Sequence, residues 1–275
     1  MKRYLSGCIL ACLLMLTLAL ATSCDPNIRW NEIEFYEINK SKQFTEAYEY
    51  DEDDEFASLH NDGEREFDVQ VNMQFMQSDN SMSEDVCQRI NAQLIEMLLN
   101  QPSSQTADEA VEGYIKKMET LFHKDKLERE YVDKLEGKGE YGFENVINYR
   151  LTQTVFAGGA HPSTTTTILR FNAMTGDFIS LDNVFPANNH DALINLLIAK
   201  LMKDNGVDTM EGLNEAGYLE LMDMFVTTNF ALRKDSVEFH YNEYDIAPYA
   251  NGPSTICLDY ATVESLMNSI SENQE

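Results

Sequence analysis

An α+β fold, with antiparallel sheets, helices packed on one face and two subdomains, is what this sequence of 275 residues predicts. Three observations carry the expectation. Phe67, Val69, Val71, Met73 and Phe75 alternate with polar residues, the period of a strand with one buried face. Two stretches after it, opened by Ser81 and by Thr106, place apolar residues at helical spacing. Beyond Phe143 the β-rich runs are joined by turn residues and not by regularly alternating helices, so hairpins are expected in place of crossover units.

The chain opens with Lys2 and Arg3, an apolar run from Ile9 to Ala21, and then Thr22-Ser23-Cys24. The run is too short to span a bilayer, so residues 1–23 read as a secretory signal peptide. Cys24, directly after small residues, resembles the cysteine of a lipobox, with Ala21 standing where leucine is usual. The expectation is a lipidated Cys24 and a short tether over 24–32; the alternative is ordinary cleavage with Cys24 incidental. With 47 acidic against 20 basic residues the formal charge is −27, and −29 once Lys2 and Arg3 leave. Such a field argues against nucleic acid and against electrostatic adsorption to anionic lipid, and it favours cationic partners.

The first subdomain is expected over 33–139. Ile33 to Ile38 reads as a strand, and 48–66 as an acidic loop. Its Asp51-Glu52-Asp53-Asp54-Glu55 run lacks the ligand spacing and glycine of a calcium loop. Ser81 with Glu84 reads as a capping box for a helix striped by Val86, Ile90, Leu94, Met97 and Leu98. Thr106 with Glu109 opens a second helix, carrying Val111, Tyr114, Ile115, Met118, Leu121 and Phe122. Lys134 to Tyr141, with two glycines and several charges, reads as a loop between the halves.

The second subdomain is expected over 140–275. A strand from Phe143 to Ala157 reaches the turn Gly158-Gly159-Ala160-His161-Pro162, a second runs from Thr164 to Phe171, and a third passes through Ile179 and Leu181 after a turn at Thr175-Gly176. Asn188 to Gly206 is a helix with Gly206 as its C-cap, and Gly212 to Phe225 reads as another. Phe230 to Leu232 and Val237 to Tyr241 form a hairpin. Pro248, Gly252 and Pro253 then preclude a regular strand, leaving an ordered loop with Tyr244, Asp245 and Tyr249. Ser254 to Tyr260 is the last strand, ahead of a short closing helix and a polar tail over 271–275.

The GGAHP turn, the NAMTGDFISLDNVF segment and the NFALRKDSVEFHYNEYDIAPYANGP block resemble, in that order and spacing, a domain-of-unknown-function family. That family forms the extracytoplasmic lysozyme-binding part of the anti-sigma factor RsiV and the accessory region of PdaC-type peptidoglycan deacetylases, where a smaller companion domain precedes it. The resemblance implies the paired arrangement above and a candidate partner class, a cationic protein such as lysozyme or cell-wall glycan. It implies neither the sigma-binding nor the deacetylase activity, because the segments that carry them find no counterpart in this chain.

Chemistry-bearing residues are sparse. No CxxC, HEXXH or HxxxH occurs, so neither a metal site nor a cofactor is expected, and no catalytic residue is assigned. Cys87 and Cys257 could pair as a disulfide between the halves or remain two separately buried thiols. His161 reads as a turn histidine, with ligand binding the rival role. Tyr244, Asp245 and Tyr249 are the best binding candidates, since rings on an exposed loop suit sugar faces or a protein partner; the competing reading packs both tyrosines inward and lets Asp245 cap the loop. The expected function is a lipid-anchored, exported envelope protein that binds. Its rivals are an enzyme on glycan or peptide using His161, Asp245 or Asp182, and a structural lipoprotein.

Overall fold

A computed structural model describes residues 33–48, 63–79, 82–124, 130–220 and 223–268. The signal peptide, Cys24 and its tether, the 51–55 acidic run, Ser81 and the 271–275 tail lie outside the described residues. The fold is α+β, with a five-stranded and a three-stranded sheet.

The large sheet has strand order β1 (Glu34–Tyr48), β2 (Gly63–Gln77), β3 (Tyr131–Tyr141), β4 (Val146–Phe156) and β5 (Ser163–Asn172). Between β2 and β3 the chain forms helices α1 (Glu84–Leu99) and α2 (Ala107–Lys124). Strand β2 buries Phe67, Val69, Val71, Met73 and Phe75 against them, as its alternation requires. The caps differ in detail from expectation. Ser83, not Ser81, caps α1 by accepting from Val86 N. The buried stripe of α1 is Cys87, Ile90, Leu94, Ile95 and Leu99, which leaves Met97 47% exposed. Thr106 and Glu109 do form the second capping box.

Two corrections concern connectivity. The segment 134–141 is strand, the body of β3, and it binds β2 in parallel and β4 antiparallel. Thus α1 and α2 form a crossover, and the sheet is mixed, not wholly antiparallel. The glycines misled because they serve packing: a Cβ at Gly137 would strike the Tyr149 hydroxyl and Met73, and one at Gly139 would strike the Phe35 ring. Strand β3 otherwise alternates, with Asp133 and Leu135 buried and Lys134, Glu136 and Lys138 exposed.

Further on, the expected third strand is a single bridge, Phe171 to Phe178. Leu181 instead opens α3 (Leu181–Val184), because Ser180 and Asn183 complete a reciprocal capping box that turns the chain. Helix α4 (His190–Asn205) ends at Gly206 as expected. Helix α5 is only Met210–Glu215, since Ala216 closes it and Gly217 follows at φ 89°. Strands β6 (Phe230–Leu232), β7 (Ser236–Tyr241) and β8 (Ser254–Asp259) make the small sheet, and α6 (Tyr260–Val263) follows.

Two hydrophobic clusters result. One lies between the large sheet and α1–α2; the other gathers Phe185, Leu193, Leu197, Phe230, Phe239 and Ile256 around the small sheet. The Cys87–Cys257 disulfide is not formed. Both thiols are free: Cys87 is buried in the first cluster, where burial pushes its thiol up to about 11, and Cys257 sits on the exposed side of β8.

The sheets are joined by side-chain amides and by guanidinium groups. Asn148 exchanges two hydrogen bonds with the backbone of Leu232. Arg170, 1% exposed, donates to the carbonyls of Ile168, Ile179, Thr228 and Phe230 and lies 3.8 Å over the Phe230 ring. Arg150 and Arg233 both pair with Glu238.

Candidate functional site

The loop that follows β7 is fixed before any ring is placed. Asn242 Nδ2 donates to Thr166 O at 3.1 Å and its Oδ1 accepts from Thr166 N at 2.7 Å, while Asn229 does the same for Thr166 O and Ile168 N at 2.9 and 3.1 Å. Two amides thus satisfy the outer edge of β5, donors and acceptors that a strand edge otherwise leaves open. Asp245 accepts from Asn242 N at 2.7 Å, and Ile246 and Ala247 anchor the next turn in the core. Leu219 N donates to Ile246 O from the facing loop at 2.9 Å.

This edge leads directly into the β4–β5 turn. Gly158 and Gly159 adopt φ of 85° and 112°, and nothing lies within 4 Å of where a Cβ would be. They are glycines for conformation, not for space. The turn places His161 on the surface, its Nδ1 3.1 Å from Pro162 O.

The two loops meet through their rings. His161 stacks on Tyr249 at 3.8 Å with 17° between planes, and Tyr249 stacks on Tyr244 at 5.9 Å and 29°. Tyr249 is half-buried and Tyr244 is 57% exposed. Tyr244 holds φ 69°, the left-handed region that a tyrosine enters at a cost of about 1–2 kcal/mol. The result is a ledge of three rings, presenting aromatic faces and edges to solvent.

Three of the four binding candidates therefore converge, and the fourth does something else. Asp245 caps the loop by accepting from Asn242 N. Asp182, the rival acid, is exposed at the start of α3 and lies 3.7 Å from His190. Among the described residues no group of three His, Cys, Asp or Glu could hold a metal ion, and no helix is long and apolar enough to cross a membrane.

Sequence reasoning missed His240. It is 7% exposed on β7, with Nδ1 3.3 Å from Thr255 Oγ1 and a buried Nε2 that has no hydrogen-bond partner among the described residues. Burial, aided by Arg150, lowers its pKa, so the ring is neutral at physiological pH. The alternation of Glu238 and His240 was the available signal, because it puts both on one face of a strand.

Fold and site together define an α+β architecture with an exposed aromatic ledge. Residues 182–261 match the family described as a protein of unknown function, DUF3298. No curated protein matches the chain. Among solved structures, a member of the DUF3298 family from Bacteroides fragilis NCTC 9343 is 25% identical with a TM-score of 0.67, over 86% of this chain and 94% of that one. A DUF3298 family protein from Pseudomonas aeruginosa PAO1 is 15% identical, with a TM-score of 0.59 over 86% and 95%, and shares the fold. The match ends within α6, so it takes in Tyr244, Asp245 and Tyr249 and leaves out the turn that carries His161.

Proposed function

We propose that this chain is an exported, lipid-anchored cell-envelope protein that binds a partner and does not transform a substrate. One observation carries the reading: His161, Tyr249 and Tyr244 stack into a solvent-facing ledge, and the tyrosine loop is pinned at its start by the hydrogen bonds of Asn242. Rigid rings give large contact area at small entropic cost, which is what recognition rewards. The leader and Cys24 support export and anchoring. The acidic field of −27 supports a cationic protein such as lysozyme, and the ring faces support cell-wall glycan.

The test measures binding to c-type lysozyme and to peptidoglycan fragments at low salt and at about 0.15 M. Saturable binding that survives the higher salt and is lost in Tyr249→Ala supports the reading. Binding that disappears on screening, or that Tyr249→Ala leaves intact, removes the ledge from it.

A further inference from the structure

On the face of the large sheet turned away from α1 and α2 the strand register sets out two adjacent polar rows, beyond which Val132 stands opposite Phe156. Asn39, Asn72, Glu136, Thr152 and Thr166 stand directly across from one another on β1 to β5, the row running from open sheet to Thr166, which is buried where Asn229 and Asn242 hold its backbone. Ser41, Gln70, Lys134, Thr154 and Thr164 form the adjacent row, which ends three residues from His161. With strands about 4.8 Å apart, each row spans about 19 Å. A depression of about 460 Å³ lies in them, lined by Asn39, Ser41, Gln70, Asn72, Lys134 and Glu136 with the chain between them.

We propose that this face is the track on which an uncharged glycan strand lies, continuous with the aromatic ledge. The inference rests on the reading of the ledge as a binding site and names its ligand class. Four features carry it. All members of the two rows except Lys134 and Glu136 are neutral amides or hydroxyls, groups that both donate and accept as sugar hydroxyls do. Lys134 and Glu136 are neighbours on one face of β3 and balance each other's charge.

Asn39, Ser41, Asn72 and Thr152 make no side-chain hydrogen bond among the described residues, so their capacity is open. Finally, the first row runs up to the small sheet, where Glu238 and Asn242 bind Arg150 and Thr166 of the large sheet. A protein partner would want apolar anchors, which these rows lack, and a polyanion would be repelled by the molecule's charge.

The experiment titrates N-acetylglucosamine oligomers of two to six units, and neutral glucans of the same lengths, into the purified protein and two variants. Asn39→Ala/Asn72→Ala removes only side chains that bond nothing in the fold, and its unfolding midpoint verifies that it folds. The expected result is affinity that rises with oligomer length, roughly tenfold weaker six-unit binding in the double variant with two-unit binding unchanged, and loss of both in Tyr249→Ala. Six-unit ligands binding no more tightly than two-unit ones, or equally to the double variant, would overturn the track while leaving the ledge in place. Lysozyme binding without any oligomer binding would overturn the glycan inference alone. Binding of neither would remove the ledge as well.

Discussion

The hydroxyl of Tyr114 lies 2.5 Å from a carboxylate oxygen of Asp133, and both groups are sealed between α2 and the large sheet. The second oxygen accepts from Gln153 at 3.0 Å, so the carboxylate is held by neutral donors. Burial raises the Asp133 pKa, and the bonds from Tyr114 and Gln153 offset part of that rise. The same burial drives the Tyr114 phenol far above its ordinary range, which keeps it a donor.

A pH dependence follows from the direction of the Asp133 shift. Because the folded-state value exceeds the unfolded one, the native state holds the proton more tightly. The stability this contributes is full below the ordinary carboxylate range and is lost as pH rises through the shifted value. Asp133→Asn keeps the shape and removes the charge. Its thermal midpoint should exceed that of the natural chain near about pH 8, and the difference should vanish toward about pH 4. Equal midpoints at the higher pH would show that the buried charge costs the fold nothing.

Arg170 is the second buried group with a cost, and it joins the sheets. Burial brings its guanidinium down to about 9, while four backbone carbonyls and the Phe230 ring hold it. Arg170→Met fills the space but strands those carbonyls, each worth about 1–3 kcal/mol when left unsatisfied. The variant should lose at least about 3 kcal/mol in urea unfolding. Arg170→Lys should rescue only part, since an ammonium lacks the planar fork that reaches several acceptors. A loss below about 1 kcal/mol in Arg170→Met would mean that the guanidinium adds little to the joint beyond packing and the neighbouring amide bonds.

At the ledge, backbone strain and ring contact can be separated at Tyr244. Glycine relieves the positive φ, so Tyr244→Gly should match the natural chain or exceed it by up to about 1 kcal/mol, while Tyr244→Ala keeps the strain and should be less stable than the glycine variant by about 1 kcal/mol. Both should weaken ligand binding. Chemical denaturation of the two variants checks the order, and a glycine variant less stable than the alanine one would show that the positive φ at this position carries no strain that glycine relieves.

Much of the local structure was legible from particular residues. The alternation through Phe67 to Phe75, the Thr106–Glu109 box and Gly206 are each local signals with a single physical reading, and each lies where it was expected. Lys134 to Tyr141 was misread because glycine and charge ordinarily punctuate loops. Only the rings of Tyr149 and Phe35, distant in sequence, explain why glycine is needed inside that strand. The pairing of Cys87 with Cys257 likewise depended on distance through space, and the chain puts the two in different surroundings.

The candidate site divides the same way. Its residue types, the rings of a proline- and glycine-bounded loop and a histidine beside two glycines, were set by the sequence itself. So were the acidity and the strand and helix periods, because propensity, charge and alternation act between near neighbours. Tertiary structure alone decided that His161 meets Tyr249, that Asp245 caps while Tyr244 stays exposed, and that the polar residues of five strands line up in rows. Those outcomes depend on register and on amide bonds such as Asn242 to Thr166, which close contacts across 76 positions and leave no periodic trace in the chain.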